Sequence, residues 1–226
     1  MKERIIKALI VLGIIIFPFT NGKGQCDNIP DDYLSCNTPA QIVYPNVPNQ
    51  NLQNGTYKIV TPGTYSFNVS NARLIVCGSG DFIFDSSCNF NSGHEIMIHK
   101  DARVHIMCHS QSTLNIINRG YLEFTPNQYN YEKIVNLNGS SFFINYGTCE
   151  INGKGGLRVD GKLVNRGLIN VDGELWLNSN DMICLADKSL MNVTGSSHIN
   201  SSIRGDGGCL HSIGMISAEQ NYVVNH

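Results

Sequence analysis

Five aspartates, four histidines and two aromatic residues are the side chains whose types and spacing bear on chemistry. Asp81 and Asp85 lie four residues apart on one short strand pattern, with Asp101 further along the chain. Asp160 and Asp172 each occupy a Val-Asp-Gly triplet, at 159–161 and 171–173. If the triplets recur at equivalent points of stacked turns, their carboxylates stand about 5 Å apart, a separation that a retaining glycosidase uses. Asp-Gly is first of all a turn pair, because Asp tolerates the left-handed region and Gly adopts it freely. The turn reading therefore carries more weight. His99, His105 and His109 fall on outward registers of neighbouring strands. With His94 they make a candidate metal or pH-responsive patch, against the plainer account of ordinary exposed histidines. Tyr121 and Trp176 are expected to face outward and are candidate ligand contacts, since exposed aromatics stack on sugar rings or anchor protein partners. Neither a Gly-x-Ser-x-Gly elbow nor a glycine loop opening a helix occurs, so no catalytic residue and no cofactor is expected.

Eight cysteines (Cys26, Cys36, Cys77, Cys88, Cys108, Cys149, Cys184 and Cys209) all follow residue 24. An even count in an exported chain points to disulfides. The local choice is Cys26 with Cys36 and Cys77 with Cys88, each closing a short loop, while other pairings remain open. Cys149 shares an inward register with Ile151, as a small buried hydrophobe or as half of a bridge. Zinc sites use closely spaced pairs such as Cys-x-x-Cys; the sequence has none, and no metal is expected.

The elements that must position these side chains are short strands. Residues 144–177 repeat one unit: an apolar residue, Asn, any residue, Gly, then two apolar residues in alternation. Ile144-Asn145-Tyr146-Gly147 leads to Cys149 and Ile151, and Val164-Asn165-Arg166-Gly167 to Ile169 and Val171. Upstream, Ile117-Asn118-Arg119-Gly120 leads to Leu122 and Phe124. Period-two alternation marks a half-buried strand, and the Asn-x-Gly and Asp-Gly pieces between strands read as corners that use glycine's tolerance of positive φ. No stretch offers a helical face. Short strands with frequent corners also fit a sandwich or a closed barrel. The repeated corner favours a solenoid, in which like positions lie above one another and the Asn side chains form a hydrogen-bonded ladder. The predicted fold is an all-β, single-domain parallel β-helix (β-solenoid) with short strands and Asn/Gly corners. Its three corner asparagines are 27 and 20 residues apart, which predicts unequal loops on successive turns, with 126–132 as a bulge. The expected rod is about 40–50 Å long.

The organisation reads as three pieces. Residues 1–24 have a basic start, a short apolar run and small residues, as in a secretory signal peptide. Their apolar run is shorter than the ~20 residues of a membrane span, and no span is expected in the mature chain. Residues 25–50 hold four of the seven prolines and read as an irregular N-terminal cap or leader. Residues 51–226 form the solenoid domain, with no sorting module or anchor read behind it. Losing 1–24 takes Lys+Arg from 16 to 12 and Asp+Glu from 18 to 17, leaving a net charge near −5. That balance argues against a nucleic-acid surface.

A signal peptide, Asn/Gly-rich short strands and stacked Asn-x-Gly corners together resemble the secreted β-solenoid surface proteins of bacteria, including parallel β-helix and adhesin-like repeat domains. Gln25-Cys26 after the signal looks like exported proteins of the Bacteroidetes type. The resemblance spans roughly residues 54–206. It implies secretion or cell-surface display, and a non-catalytic role in adhesion or extracellular structure with carbohydrate or a host or cell-surface protein as partner. The same architecture also hosts polysaccharide lyases and hydrolases, and soluble carbohydrate-binding modules. These remain the alternatives. Converging acidic and basic side chains would favour the enzyme, and an exposed aromatic row including Trp176 the binding module.

Overall fold

A computed structural model describes residues 34–91, 93–107, 115–125, 135–139, 141–153, 155–178, 183–200, 203–205 and 207–218. The described chain winds as a three-sided β-solenoid. Face I is a nine-stranded sheet from Gln41–Val43 to Ile203–Gly205, and face II is an eight-stranded sheet. Face III is split into sheets of three and five strands. Successive turns pair in parallel, as in Tyr121–Phe124 on Thr148–Asn152 and Phe142–Asn145 on Lys162–Asn165. Antiparallel hairpins, which a sandwich would need, do not build any of these sheets. Nine strands at about 4.8 Å give face I a length of about 38 Å. The first strand, Gln41–Val43, pairs in register with Thr56–Ile59. The solenoid therefore begins inside the stretch read as an irregular cap. Residues 1–24, read from the sequence as a signal peptide, and residues 126–132, read as a bulge, lie outside the described residues.

Alternation fills the interior as the sequence implies. Leu122, Phe124, Cys149, Ile151, Ile169, Val171, Met191 and Val193 stack in two inward columns on face II. Toward the N-terminal end the core is aromatic. Phe67 and Phe84 lie edge-to-face at 5.0 Å, with Tyr65 and Phe90 around them. Burial pushes the Tyr65 hydroxyl up to about 12, and it donates to the Thr61 carbonyl. Toward the C-terminal end the core is aliphatic.

The corner asparagines do form the expected ladder. Asn118 Nδ2 donates to Asn145 Oδ1 at 2.8 Å, and Asn145 Nδ2 to Asn165 Oδ1 at 2.9 Å, all three side chains fully buried. The corner glycines serve a different purpose from the one expected. Gly120, Gly147 and Gly167 are not among the residues with positive φ. They are needed because the backbone of the preceding turn comes too close: a Cβ on Gly147 would lie 2.0 Å from the Gly120 carbonyl oxygen. The two Val-Asp-Gly triplets are not equivalent either. Asp160 follows Leu157–Val159 on face III, whereas Asp172 ends Leu168–Asp172 on face II and pairs with Asn152. Their carboxylates do not stack.

The disulfides differ from the local pairing. Cys36 is bonded to Cys77, 41 residues away, instead of to Cys26, and Cys88 is a buried free thiol. Cys88 closes the turn after Asp85, and its Sγ donates to the Tyr65 carbonyl at 3.1 Å. Spatial neighbours here come from adjacent turns, so sequence proximity misdirects the choice. Cys149 is also free, buried in the face II column. Cys184 is disulfide-bonded, with a partner outside the described residues.

His94 was expected on the surface and is fully buried. Its Nδ1 meets the Asn91 carbonyl, its ring packs on Phe90 at 5.2 Å, and its Nε2 has no partner among the described residues. Burial lowers its pKa below 6.5, partly offset by the Asn91 contact. A histidine with a depressed folded pKa leaves stability intact above the unfolded value. Stability is then lost as pH falls from about 6.5 through the folded value, at no more than about 1.4 kcal/mol per pH unit. Urea midpoints at pH 7.5 and 5.5 should therefore fall for the natural chain and fall less for His94→Gln. An equal fall in both would remove His94 as the cause.

Candidate functional site

The outer side of face II carries a run of ionisable side chains on successive turns. Parallel register sets them in columns. His105 lies on Ile83, Glu123 on His105, Glu150 on Glu123, then Asn170 and Asn192. Beside it runs Asp81, Arg103, Tyr121 and Thr148. Each residue points outward because its neighbours in the strand point into the core.

The contacts fall into two groups, one around His105 and Glu123 and one from Glu150 to Asn192. The His105 imidazole lies between two carboxylates, with Nδ1 2.8 Å from Glu123 Oε2 and Nε2 3.2 Å from Asp81 Oδ1. Asp81 also pairs with Arg103 at 3.0 Å, both half-exposed. The Arg103 guanidinium lies 5.9 Å from the centre of the Tyr121 ring. Glu123 Oε1 accepts from Thr125 Oγ1 and from Asn152 Nδ2, each at 2.7 Å, and Oε2 accepts from Tyr121 at 3.3 Å. Glu150 Oε1 accepts from Asn170 Nδ2, and Asn170 Oδ1 from Asn192, both at 2.8 Å.

These contacts decide what Glu123 does. A carboxylate offers about four acceptor positions, and Thr125, Asn152, Tyr121 and His105 take four. Partial burial raises its pKa, but the hydrogen bonds from Thr125 and Asn152 and the neighbouring His105 outweigh this and hold it below 4.5. A general acid needs a raised pKa. Burial, followed by Glu123 and Glu150, pushes the Tyr121 hydroxyl up to about 12, so it stays a donor. Glu123 and Glu150 occupy adjacent turns, about 4.8 Å apart in backbone. Yet the first of the pair is committed to its own network.

The sequence-expected residues are distributed over several places. Asp81 joins the face II network. Asp85 caps its own turn by accepting from the Ser87 amide at 2.8 Å. Asp101 sits in the turn before Ala102–Ile106. His99 is partly buried beside Leu34 and Arg119, away from His105, with its pKa lowered mainly by burial. His109 lies outside the described residues. Cys36, Cys77 and His99 bring ligand atoms within 4.8 Å of one another, but the two sulfurs are spent in their disulfide. Trp176 and Tyr121 lie on different faces, III and II, and form no row. Trp176 has one ring face covered by His198, with centroids 3.8 Å apart, and its Nε1 donates to Glu174 Oε2. Glu123 and Glu150 were not singled out in the sequence. Their signal was available in the outward positions two residues after Tyr121 and Thr148, but only once the register across a 27-residue turn is known.

Fold and site together define a parallel three-sided β-solenoid with a charged, laddered outer face. No family model, curated protein or solved structure matches the chain.

Proposed function

We propose that the chain is exported and acts outside the cell as a non-catalytic β-solenoid, in cell-surface adhesion or extracellular structure. The observation that carries this reading is Glu123. The best-placed carboxylate of the charged face is ionised and spends its acceptor positions on Thr125, Asn152, Tyr121 and His105. The basic, apolar leader at 1–24 supports export, and the Cys36–Cys77 disulfide fits an oxidising compartment. A carbohydrate or a host or cell-surface protein would meet the half-exposed Asp81 and Arg103 on face II, or the free edge of Trp176 on face III.

A second reading, a carbohydrate-active solenoid, draws on the convergence of Asp81, Arg103, His105, Glu123 and Glu150 on one face. Purified protein from Gln25 onward on a glycan array, with reducing-sugar release measured on the same polysaccharides, separates the two. Binding without release is the expected result, weakened at least fivefold by Arg103→Ala or Trp176→Ala. Release of sugar that Glu150→Gln abolishes would overturn the non-catalytic reading. Neither binding nor release would leave a protein-binding adhesin or a scaffold.

A further inference from the structure

The outer side of face I is apolar and covered. Register aligns Ile75, Met97, Ile117, Ile144, Val164 and Cys184 in one outward column. All six are 0–3% exposed. Residues 34–36 lie against the start of that column. Leu34 packs on it, and its amide reaches Met97 Sδ at 3.3 Å. Lys58 holds Cys36 in place, its Nζ donating to the Cys36 carbonyl at 2.6 Å. Cys77 and His99 stand beside it on the solenoid itself. Each follows a face I strand by one residue, and the strand ends Val76 and Ile98 pair in register. Backbone bonds fix both. The Cys77 amide donates to the Ile59 carbonyl at 2.9 Å and the His99 amide to the Val76 carbonyl at 3.0 Å. The His99 carbonyl accepts from the Ala102 amide at 3.0 Å.

We propose that reduction of the Cys36–Cys77 disulfide turns this corner into a zinc site, with the two thiolates and the His99 imidazole as ligands. Three observations converge. The first is proximity. One ligand atom from each of Cys36, Cys77 and His99 lies within 4.8 Å of the other two. Ligands of one tetrahedral zinc stand about 3.5–3.8 Å apart, so side-chain rotation closes the difference. The cysteine Cα atoms, 5.9 Å apart, leave both sulfurs able to reach one metal. The second is persistence. Lys58 and Leu34 hold the segment of Cys36, and backbone pairing holds Cys77 and His99. These contacts do not involve the S–S bond, so the corner outlasts its reduction. The third is donor chemistry. Two thiolates and an imidazole are a zinc donor set that keeps a fourth position open. Magnesium and calcium take oxygen ligands instead. His99 has contacts of its own, among them Nε2 with the Leu34 carbonyl at 3.3 Å. Binding through Nε2 exchanges that long contact for a metal bond.

A dithiol reductant supplies two electrons and two protons to the Cys36–Cys77 bond and is itself oxidised to a disulfide. Zinc then displaces the two thiol protons, which leave to solvent. Disulfide and zinc are thus alternative fasteners of one corner. Residues 34–36 stay cross-linked to face I in either redox state, and only the reduced, metal-free chain lacks the link. Closely spaced cysteine pairs mark zinc sites built on a single loop. Here adjacent turns and the entering segment bring the ligands together, and no spacing in the sequence announces them.

Cobalt(II), a spectroscopic stand-in for zinc, tests the site on the natural chain reduced with a phosphine. Cobalt should bind with thiolate-to-metal charge transfer in the near ultraviolet, and zinc should displace it. Zinc should also raise the urea midpoint of the reduced chain and leave that of the oxidised chain unchanged. His99→Gln should keep the β circular dichroism and still form the Cys36–Cys77 bond when oxidised. Once reduced, it should bind cobalt roughly tenfold or more weakly. Cys36→Ser should weaken binding at least as much. Phosphine frees Cys184 as well, so the two variants decide which cysteines bind. Binding that either variant leaves unchanged would overturn the proposal. So would no binding at all, or a chain that unfolds on reduction and that zinc does not refold.

Discussion

Gly147→Ala should cost on the order of 3–4 kcal/mol, read as a lowered urea midpoint, or should prevent folding. The added methyl would lie 2.0 Å from the Gly120 carbonyl oxygen and 2.9 Å from the Arg119 carbonyl carbon and oxygen. Backbone cannot yield there cheaply. Gly120 is held on one side by the Asn118 side chain, which accepts its amide at 3.1 Å, and on the other by the Thr148 amide, which donates to its carbonyl at 3.0 Å. Any shift that relieves the clash stretches the asparagine ladder. Gly139→Ala is the control, since a Cβ there meets only the Asp160 carbonyl oxygen, at an ordinary 3.7 Å. It should change stability by less than about 0.5 kcal/mol. Equal losses in the two variants would mean that glycine's backbone freedom, not the close approach of turns, explains the conserved spacing of the corner within this chain.

That corner shows what was legible in the chain and what was not. The repeated Asn-x-Gly told of stacked turns because an asparagine ladder needs one Asn per turn at the same place. It did not tell why the glycine follows, because the clash is with a residue 27 positions earlier. The disulfides fail for the same reason. Cys36 and Cys77 meet through the stacking of turns, 41 residues apart, where loop length alone favours nearer partners. Glu123, Glu150 and Asn170 assemble only when each turn's length is known, and turn lengths vary because loops absorb insertions without disturbing the column. The strands of face I carry a signal of their own. Face I strands are continuous apolar runs, as in Leu74-Ile75-Val76, Ile96-Met97-Ile98 and Ile116-Ile117, whereas face II strands alternate. Continuous runs mark strands buried on both sides, so the cover over face I was written in the strands themselves.

Asn145→Leu should destabilise by about 2–4 kcal/mol, the cost of orphaning buried hydrogen-bonding groups. Shape is not the difficulty. The ladder position is occupied by aliphatic residues where the column ends, Ile98 below Asn118 and Leu185 above Asn165. The loss is polar. Asn145 Nδ2 serves Asn165 Oδ1, the Gly147 carbonyl and the Leu168 carbonyl at 2.9–3.1 Å, and its Oδ1 accepts from Asn118. Asn165→Leu, at the end of the ladder, should cost less. It removes the Leu190 carbonyl's donor and the Gly167 amide's acceptor, but leaves Asn145 with its contacts to Asn118, Gly147 and Leu168. The double variant distinguishes a cooperative ladder from three independent corners. Once Leu stands at 145, Asn165 has already lost its partner on that side, so the second substitution should cost less than it does alone. A coupling of about 0.5–3 kcal/mol is expected between residues that share a network. Strict additivity would mean that each asparagine acts through its own turn's carbonyls, and that turns are joined by backbone pairing and core packing alone.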